Sequence, residues 1–141
     1  MERIPTKNGV VRCSKAHGAN ERAANIAIAK YFAEKYGHEI ELLPRIYNKK
    51  SPDAYNKTLG VEQEYKTNKT PTFSAIDTEL RKASKQANHI VLHIRSDISD
   101  SLLKSGIKGR VRQKGAIETV TILRGGKDIT YTRAQILDFE L

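Results

Sequence analysis

The run His89-Ile90-Val91-Leu92-His93-Ile94 constrains this chain more than any other segment. A β-branched apolar run bounded by polar residues predicts a strand covered on both faces. Directly before it, residues 73–88 place Ile76, Leu80, Ala83 and Ala87 on one face at helical spacing. Before that, Val61 to Thr67 reads as another strand. Strand, helix and strand with short links form a crossover unit, so strands 61–67 and 90–94 are expected to be parallel neighbours. This sets the class as α/β.

The rest of the chain is read around that unit. Residues 1–19 are polar and carry the turn signal Asn8-Gly9, so they are expected to form an N-terminal arm or hairpin. Residues 20–141 are expected to form a single domain. Residues 20–36 read as a helix capped by Asn20 and stopped by Gly37, with Ala24, Ile28, Tyr31 and Phe32 on one face. Glu21 lies one turn before Ala24. His38 to Tyr47 reads as a strand, residues 48–52 as a turn, and Asp53 onward as a short strand ending by Leu59-Gly60. A short helix is expected near Asp100–Leu103, then a strand over 117–123. Gly125-Gly126 turns the chain into a hairpin, and Thr132-Arg133-Ala134-Gln135 matches a capping box for a last helix. The order is α-β-β-β-α-β, a mixed sheet flanked by helices, followed by a hairpin and short helix.

The chain of 141 residues carries 25 basic against 16 acidic side chains, a net charge of +9. Such an excess, spread over a folded body, favours a polyanionic partner such as nucleic acid or an acidic protein. No apolar run approaches the roughly 20 residues of a membrane-spanning helix. The N-terminus lacks the apolar stretch of a secretory signal. The lone Cys13 supports neither a disulfide framework nor a multi-cysteine metal site.

The chemistry-bearing residues lie on the strand Val61-Glu62-Gln63-Glu64-Tyr65-Lys66. Alternation sends Glu62, Glu64 and Lys66 to one face and Val61, Gln63 and Tyr65 to the other. Charges on a strand that feeds a crossover helix must be solvated, paired or bound to a metal. Upstream, Pro52 marks a strand start, and a hairpin-like return is expected to bring Asp53 beside Glu64. Two carboxylates and an ammonium at one point suit a hard divalent cation. Asp53 and Glu64 are the expected metal ligands, and the Tyr65 carbonyl can complete the set. Lys66 is placed to orient a water or to neutralise charge on a phosphate. Glu21 is expected to contribute from the first helix. His89 and His93, four apart on a strand, stand roughly 13 Å apart, too far for one zinc ion.

Pro52-Asp53 followed by Glu64-Tyr65-Lys66 resembles the PD-(D/E)XK signature of restriction-endonuclease-like nucleases, and the element order over roughly 20–95 looks like that superfamily's core. The stretches Gly60 to Asn68, Ile76 to Ala87 and His89 to Leu92 also resemble the C-terminal toxin domains of contact-dependent growth inhibition proteins, and related phage and mobile-element domains. Several of those are transfer-RNA nucleases. The resemblance implies Glu21, Asp53, Glu64 and Lys66 as catalytic residues, with Mg²⁺ or Mn²⁺, or alternatively Zn²⁺, as cofactor. It implies RNA, especially tRNA, as substrate, with DNA as an alternative, and an acidic immunity protein as partner. It also implies action in a bacterial cytoplasm after delivery as part of a larger secreted protein. Two other functions compete: a metal-independent ribonuclease of the barnase and colicin type, using Lys66 and a histidine such as His93, and a non-catalytic nucleic-acid-binding module.

Overall fold

The computed structural model of the chain describes residues 1–113 and 115–141. It is a mixed α/β structure with eight strands and four helices among the described residues. Its contacts group into two compact units, Met1–Tyr65 and Lys66–Leu141.

The first unit contains β1 (Glu2–Ile4), β2 (Val10–Cys13), α1 (Arg22–Tyr36), β3 (Glu39–Leu42), β4 (Ala54–Asn56) and the start of β5 (Val61–Asn68). β1 and β2 form an antiparallel hairpin, and β2 pairs in parallel with β3 through the α1 crossover. β3, β4 and β5 continue antiparallel. The opening hairpin is therefore built into the sheet, and Val11 and Cys13 are fully buried. Helix α1 covers this unit with Ile28, Ala29, Phe32 and Ala33. Its buried stripe begins at Asn25, and Ala24 is exposed, one position off the sequence expectation. The helix also begins two residues later than expected. Glu21 rather than Asn20 holds the N-cap position, with no side-chain cap bond. Strand β3 ends at Leu42, well short of Tyr47, because the chain leaves the sheet just before Pro44.

The second unit contains the end of β5, α2 (Phe73–Ala83), β6 (His89–Ile94), α3 (Asp100–Gln113), β7 (Thr119–Arg124), β8 (Lys127–Thr132) and α4 (Arg133–Leu137). β5 and β6 are neighbours, and the Arg95 N–H donates to the Asn68 carbonyl at 2.8 Å. β6 pairs in parallel with β7, and β7 turns antiparallel into β8. Ile76, Leu80, Ile90, Leu92, Leu103, Ile107 and Val120 form the centre of one apolar cluster. The capping box at Thr132 and Gln135 is present in full.

Two helices depart from the sequence reading. α2 stops at Ala83 rather than running to Asn88. The Ser84 hydroxyl donates to the Arg81 carbonyl at 2.8 Å, and the next N–H groups tighten onto residues three back. α3 is a helix of 14 residues instead of the short helix expected near Asp100–Leu103. Gly106 admits α2: a Cβ there would lie 2.9 Å from Ile76 Cβ. Close helix approach outweighs the propensity penalty of roughly 1 kcal/mol for a helical glycine.

Gly9 adopts φ +63°, and an added Cβ would stand 2.4 Å from the His38 carbonyl oxygen and 2.6 Å from that of Ala33. Both are backbone atoms with little freedom to retreat. Gly9→Ala is expected to cost about 3 kcal/mol, the left-handed backbone penalty plus overpacking. Chemical denaturation checks this, and an unchanged midpoint would contradict the packing described.

Candidate active site

The β4–β5 register pairs Ala54 with Gln63, Tyr55 with Glu62 and Asn56 with Val61. Continuing that register by one step sets Asp53 opposite Glu64 at the mouth of the hairpin. The two residues then lock to each other. The Asp53 N–H donates to Glu64 Oε1 at 3.1 Å, and the Tyr65 N–H donates to Asp53 Oδ2 at 2.9 Å. The Asp53 carbonyl accepts the Leu43 N–H at 2.9 Å, so both backbone groups of Asp53 are satisfied. The Asp53 carboxyl is also hydrogen-bonded to the Glu64 side chain.

Both carboxyl residues are buried, Asp53 at 7% exposure and Glu64 at 5%. Burial pushes the Asp53 carboxyl above the usual carboxylate range; the Tyr65 N–H opposes the rise, the Glu21 charge adds to it, and the Glu64 hydrogen bond and His17 oppose it. Two buried carboxyls at one place are costly to ionise together without a partner; a proton relieves that cost, and so would a cation.

The face alternation on β5 is as the sequence implied. The Tyr65 hydroxyl donates to Gln63 Oε1 at 3.3 Å, so those two side chains share the face opposite Glu64. Lys66 follows Glu64 by one full strand period and is half-buried, and its charge acts on Glu79 of α2. Glu21 is exposed at the foot of α1. It continues the line of Asn25, Ile28 and Phe32 to its wet end, where its charge reaches Asp53.

Sequence reasoning missed His17 and Asn25. His17 is buried, with Nδ1 2.7 Å from the Leu43 carbonyl oxygen and Nε2 3.0 Å from Asn25 Nδ2. The carbonyl can only accept, so Nδ1 donates to it, and the Asn25 amide meets Nε2. This buried pair ties α1 to the segment whose Leu43 N–H holds Asp53. No spacing rule marks it, because its partners come from a loop, a helix and a strand end. His89 meets Thr119 and Glu118, and burial followed by the Arg95 charge lowers the pKa of His93.

Asp53 and Glu64 offer hard oxygen donors of the kind Mg²⁺ or Mn²⁺ takes one or two at a time, with waters completing the shell. Among the described residues no three His, Cys, Asp or Glu side chains form a ready-made cage.

The fold is that of a mixed α/β protein in which the β4–β5 hairpin carries the paired acids. No family model and no curated protein matches the sequence. Among solved structures the chain is similar to a chain of the CdiA-CT/CdiI toxin and immunity complex from Burkholderia pseudomallei. The TM-score is 0.56 at 18% identity, over 80% of this chain and 82% of that one. At that identity the likeness is one of fold.

A raised carboxyl pKa has a signed consequence for stability. The neutral form of Asp53 suits the fold, so its contribution is complete below the unfolded value near 3.8 and is lost as pH rises through the higher folded value. Asp53→Asn keeps a neutral acceptor for the Tyr65 N–H. Without divalent cations, this variant is expected to be more stable than the parent at neutral pH, with the gap closing towards acid. Denaturation midpoints across pH check this; a variant that is less stable at neutral pH would reverse the sign.

Proposed function

We propose that this protein is a metal-dependent nuclease of the PD-(D/E)XK type, acting as the toxin domain of a contact-dependent growth inhibition system. The observation that carries the reading is the buried Asp53–Glu64 pair, two carboxyls locked at a hairpin mouth where a cation relieves their repulsion. Fold similarity to a chain of a toxin and immunity complex supports the toxin assignment. The net charge of +9 supports a polyanionic substrate.

In this reading Asp53 and Glu64 hold Mg²⁺ or Mn²⁺, with the Tyr65 carbonyl as a further donor. Such an ion, when bound, polarises a scissile phosphate and acidifies a nearby water. Lys66, on the same face of β5 as Glu64, neutralises charge that develops on the phosphate. Glu21 contributes an exposed carboxylate from the foot of α1. The His17–Asn25 pair keeps the Leu43–Asp53 junction in place. The substrate is RNA, with transfer RNA favoured because Gly60–Asn68, Ile76–Ala87 and His89–Leu92 resemble contact-dependent growth inhibition toxin domains, several of which cleave tRNA. An acidic immunity protein covering the basic surface is the matching partner. No described helix is long and apolar enough to cross a membrane, and delivery within a larger secreted protein accords with the toxin reading.

Cleavage of total RNA and of plasmid DNA, with and without chelator, tests the proposal. Wild-type cleavage is expected to stop in EDTA and to return with Mg²⁺ or Mn²⁺. Asp53→Ala and Glu64→Ala are each expected to lose at least about a hundredfold in rate, the order lost with one electrostatic stabiliser, while circular dichroism shows a retained fold. Full activity in EDTA would overturn metal dependence. Full activity in both variants would remove the site. Coexpression with an acidic cognate protein is expected to restore growth where wild-type expression arrests it.

A further inference from the structure

Between β3 and β4 the sequence predicts a strand end and a turn; the structure has a loop there, and nothing in the site described above uses its tip. It runs Pro44-Arg45-Ile46-Tyr47-Asn48-Lys49-Lys50-Ser51-Pro52 and contains three basic residues and no acid. Every residue from Arg45 to Lys50 is exposed. Tyr47 is 84% exposed, the most of any exposed large hydrophobic side chain among the described residues. Among those residues, Arg45, Lys49 and Lys50 take part in no ion pair.

The loop is nonetheless built rather than slack. Its base is closed by the Leu43 N–H donating to the Asp53 carbonyl at 2.9 Å, beside the Leu42–Ala54 pair. Its waist is closed by Ser51, whose Oγ accepts the Ile46 N–H at 2.9 Å and donates to the Pro44 carbonyl at 3.2 Å. The Arg45 N–H donates to the Ala16 carbonyl at 2.9 Å, and the Arg45 side chain passes over Gly18. Asn48 turns the tip with φ 61°, in the left-handed region. A tied loop loses little entropy on binding, which favours affinity.

We infer that this loop is a nucleic-acid grip, with Tyr47 stacking on an unpaired base while Lys49 and Lys50 contact the adjoining phosphates. An aromatic ring flanked by cations is the composition that single-stranded nucleic acid requires. Every base offers a π-face to the ring, and the backbone supplies the negative charge. The loop's far end is Asp53 itself, and the segment from Tyr47 to Asp53 can span at most about 20 Å. A base held at Tyr47 therefore lies within a few nucleotides of the carboxylate pair. The grip selects substrates with unpaired bases, such as loops and single-stranded ends, over continuous duplex. It deepens the nuclease reading by naming the substrate class, yet binding by the loop does not require that cleavage occur.

The test measures binding and cleavage separately on the full chain. The probe is a short single-stranded RNA with 2-aminopurine at successive positions, titrated in EDTA, and its duplex serves as the competitor. One position is expected to be quenched on binding. Tyr47→Ala is expected to abolish that quench and to weaken binding about fivefold to a hundredfold, the range for one lost base–aromatic stack. Tyr47→Phe is expected to restore both. The paired change Lys49→Ala with Lys50→Ala is expected to weaken binding and to reduce the salt slope by roughly one to two. Unchanged binding and quenching in Tyr47→Ala, or a duplex that competes as well as the single strand, would overturn the grip; unchanged RNA binding alongside lost immunity-protein binding would assign the loop to a protein partner. Tyr47-dependent quenching in a protein that cleaves nothing would uphold the grip and remove the nuclease reading. Normal cleavage with no Tyr47 dependence would do the opposite.

Discussion

The mutual lock of Asp53 and Glu64 is the constraint on which the rest of the site depends. In an ordinary hairpin mouth the backbone groups of opposed residues satisfy each other. Here two side chains stand in: Glu64 takes the Asp53 N–H and Asp53 takes the Tyr65 N–H. The exchange sets both carboxyls at low exposure and within hydrogen-bonding reach. Such an arrangement costs free energy unless a proton or cation is present, because buried like charges have no solvent to screen them. The proposed function takes that cost, kept at one point of the fold, as the mark of a site.

A chain of hydrogen bonds reinforces the lock from one side. Leu43 fixes the Asp53 backbone, and His17 fixes the Leu43 carbonyl. Asn25, on the buried stripe of α1, fixes His17. This chain of hydrogen bonds links helix, loop and strand, so the carboxyl pair is held by rigid elements. The loop that reaches out to Tyr47 starts and ends on the same backbone. In the proposed function a polyanion is gripped at the basic, exposed tip and brought to a cation at the buried mouth.

Much of this was legible in the sequence. Alternation along 61–66 gave the faces of Glu64 and Tyr65, and Pro52 with the turn at Gly60 gave the hairpin that opposes residues 53 and 64. The β-branched run at 89–94 and the capping box at 132–135 marked their elements because local and tertiary preferences agree there. Other features depend on tertiary contact and left no local trace. α3 runs through Gly106 because Ile76 needs the space, a reason visible only once α2 is in place. The α1 stripe is shifted because Asn25, polar in sequence, is buried against His17. The strand expected over His38 to Tyr47 rests on Ile40, Leu42 and Leu43, while Pro44 and the Ser51 clasp make Tyr47 a loop tip.

Crystals of the protein soaked in Mn²⁺ and measured at the manganese absorption edge would address the central claim most directly. The account predicts one strong anomalous peak in contact with carboxylate oxygens of both Asp53 and Glu64. Saturating Mn²⁺ with no peak there, and a carboxyl pair still joined by a proton, would contradict it.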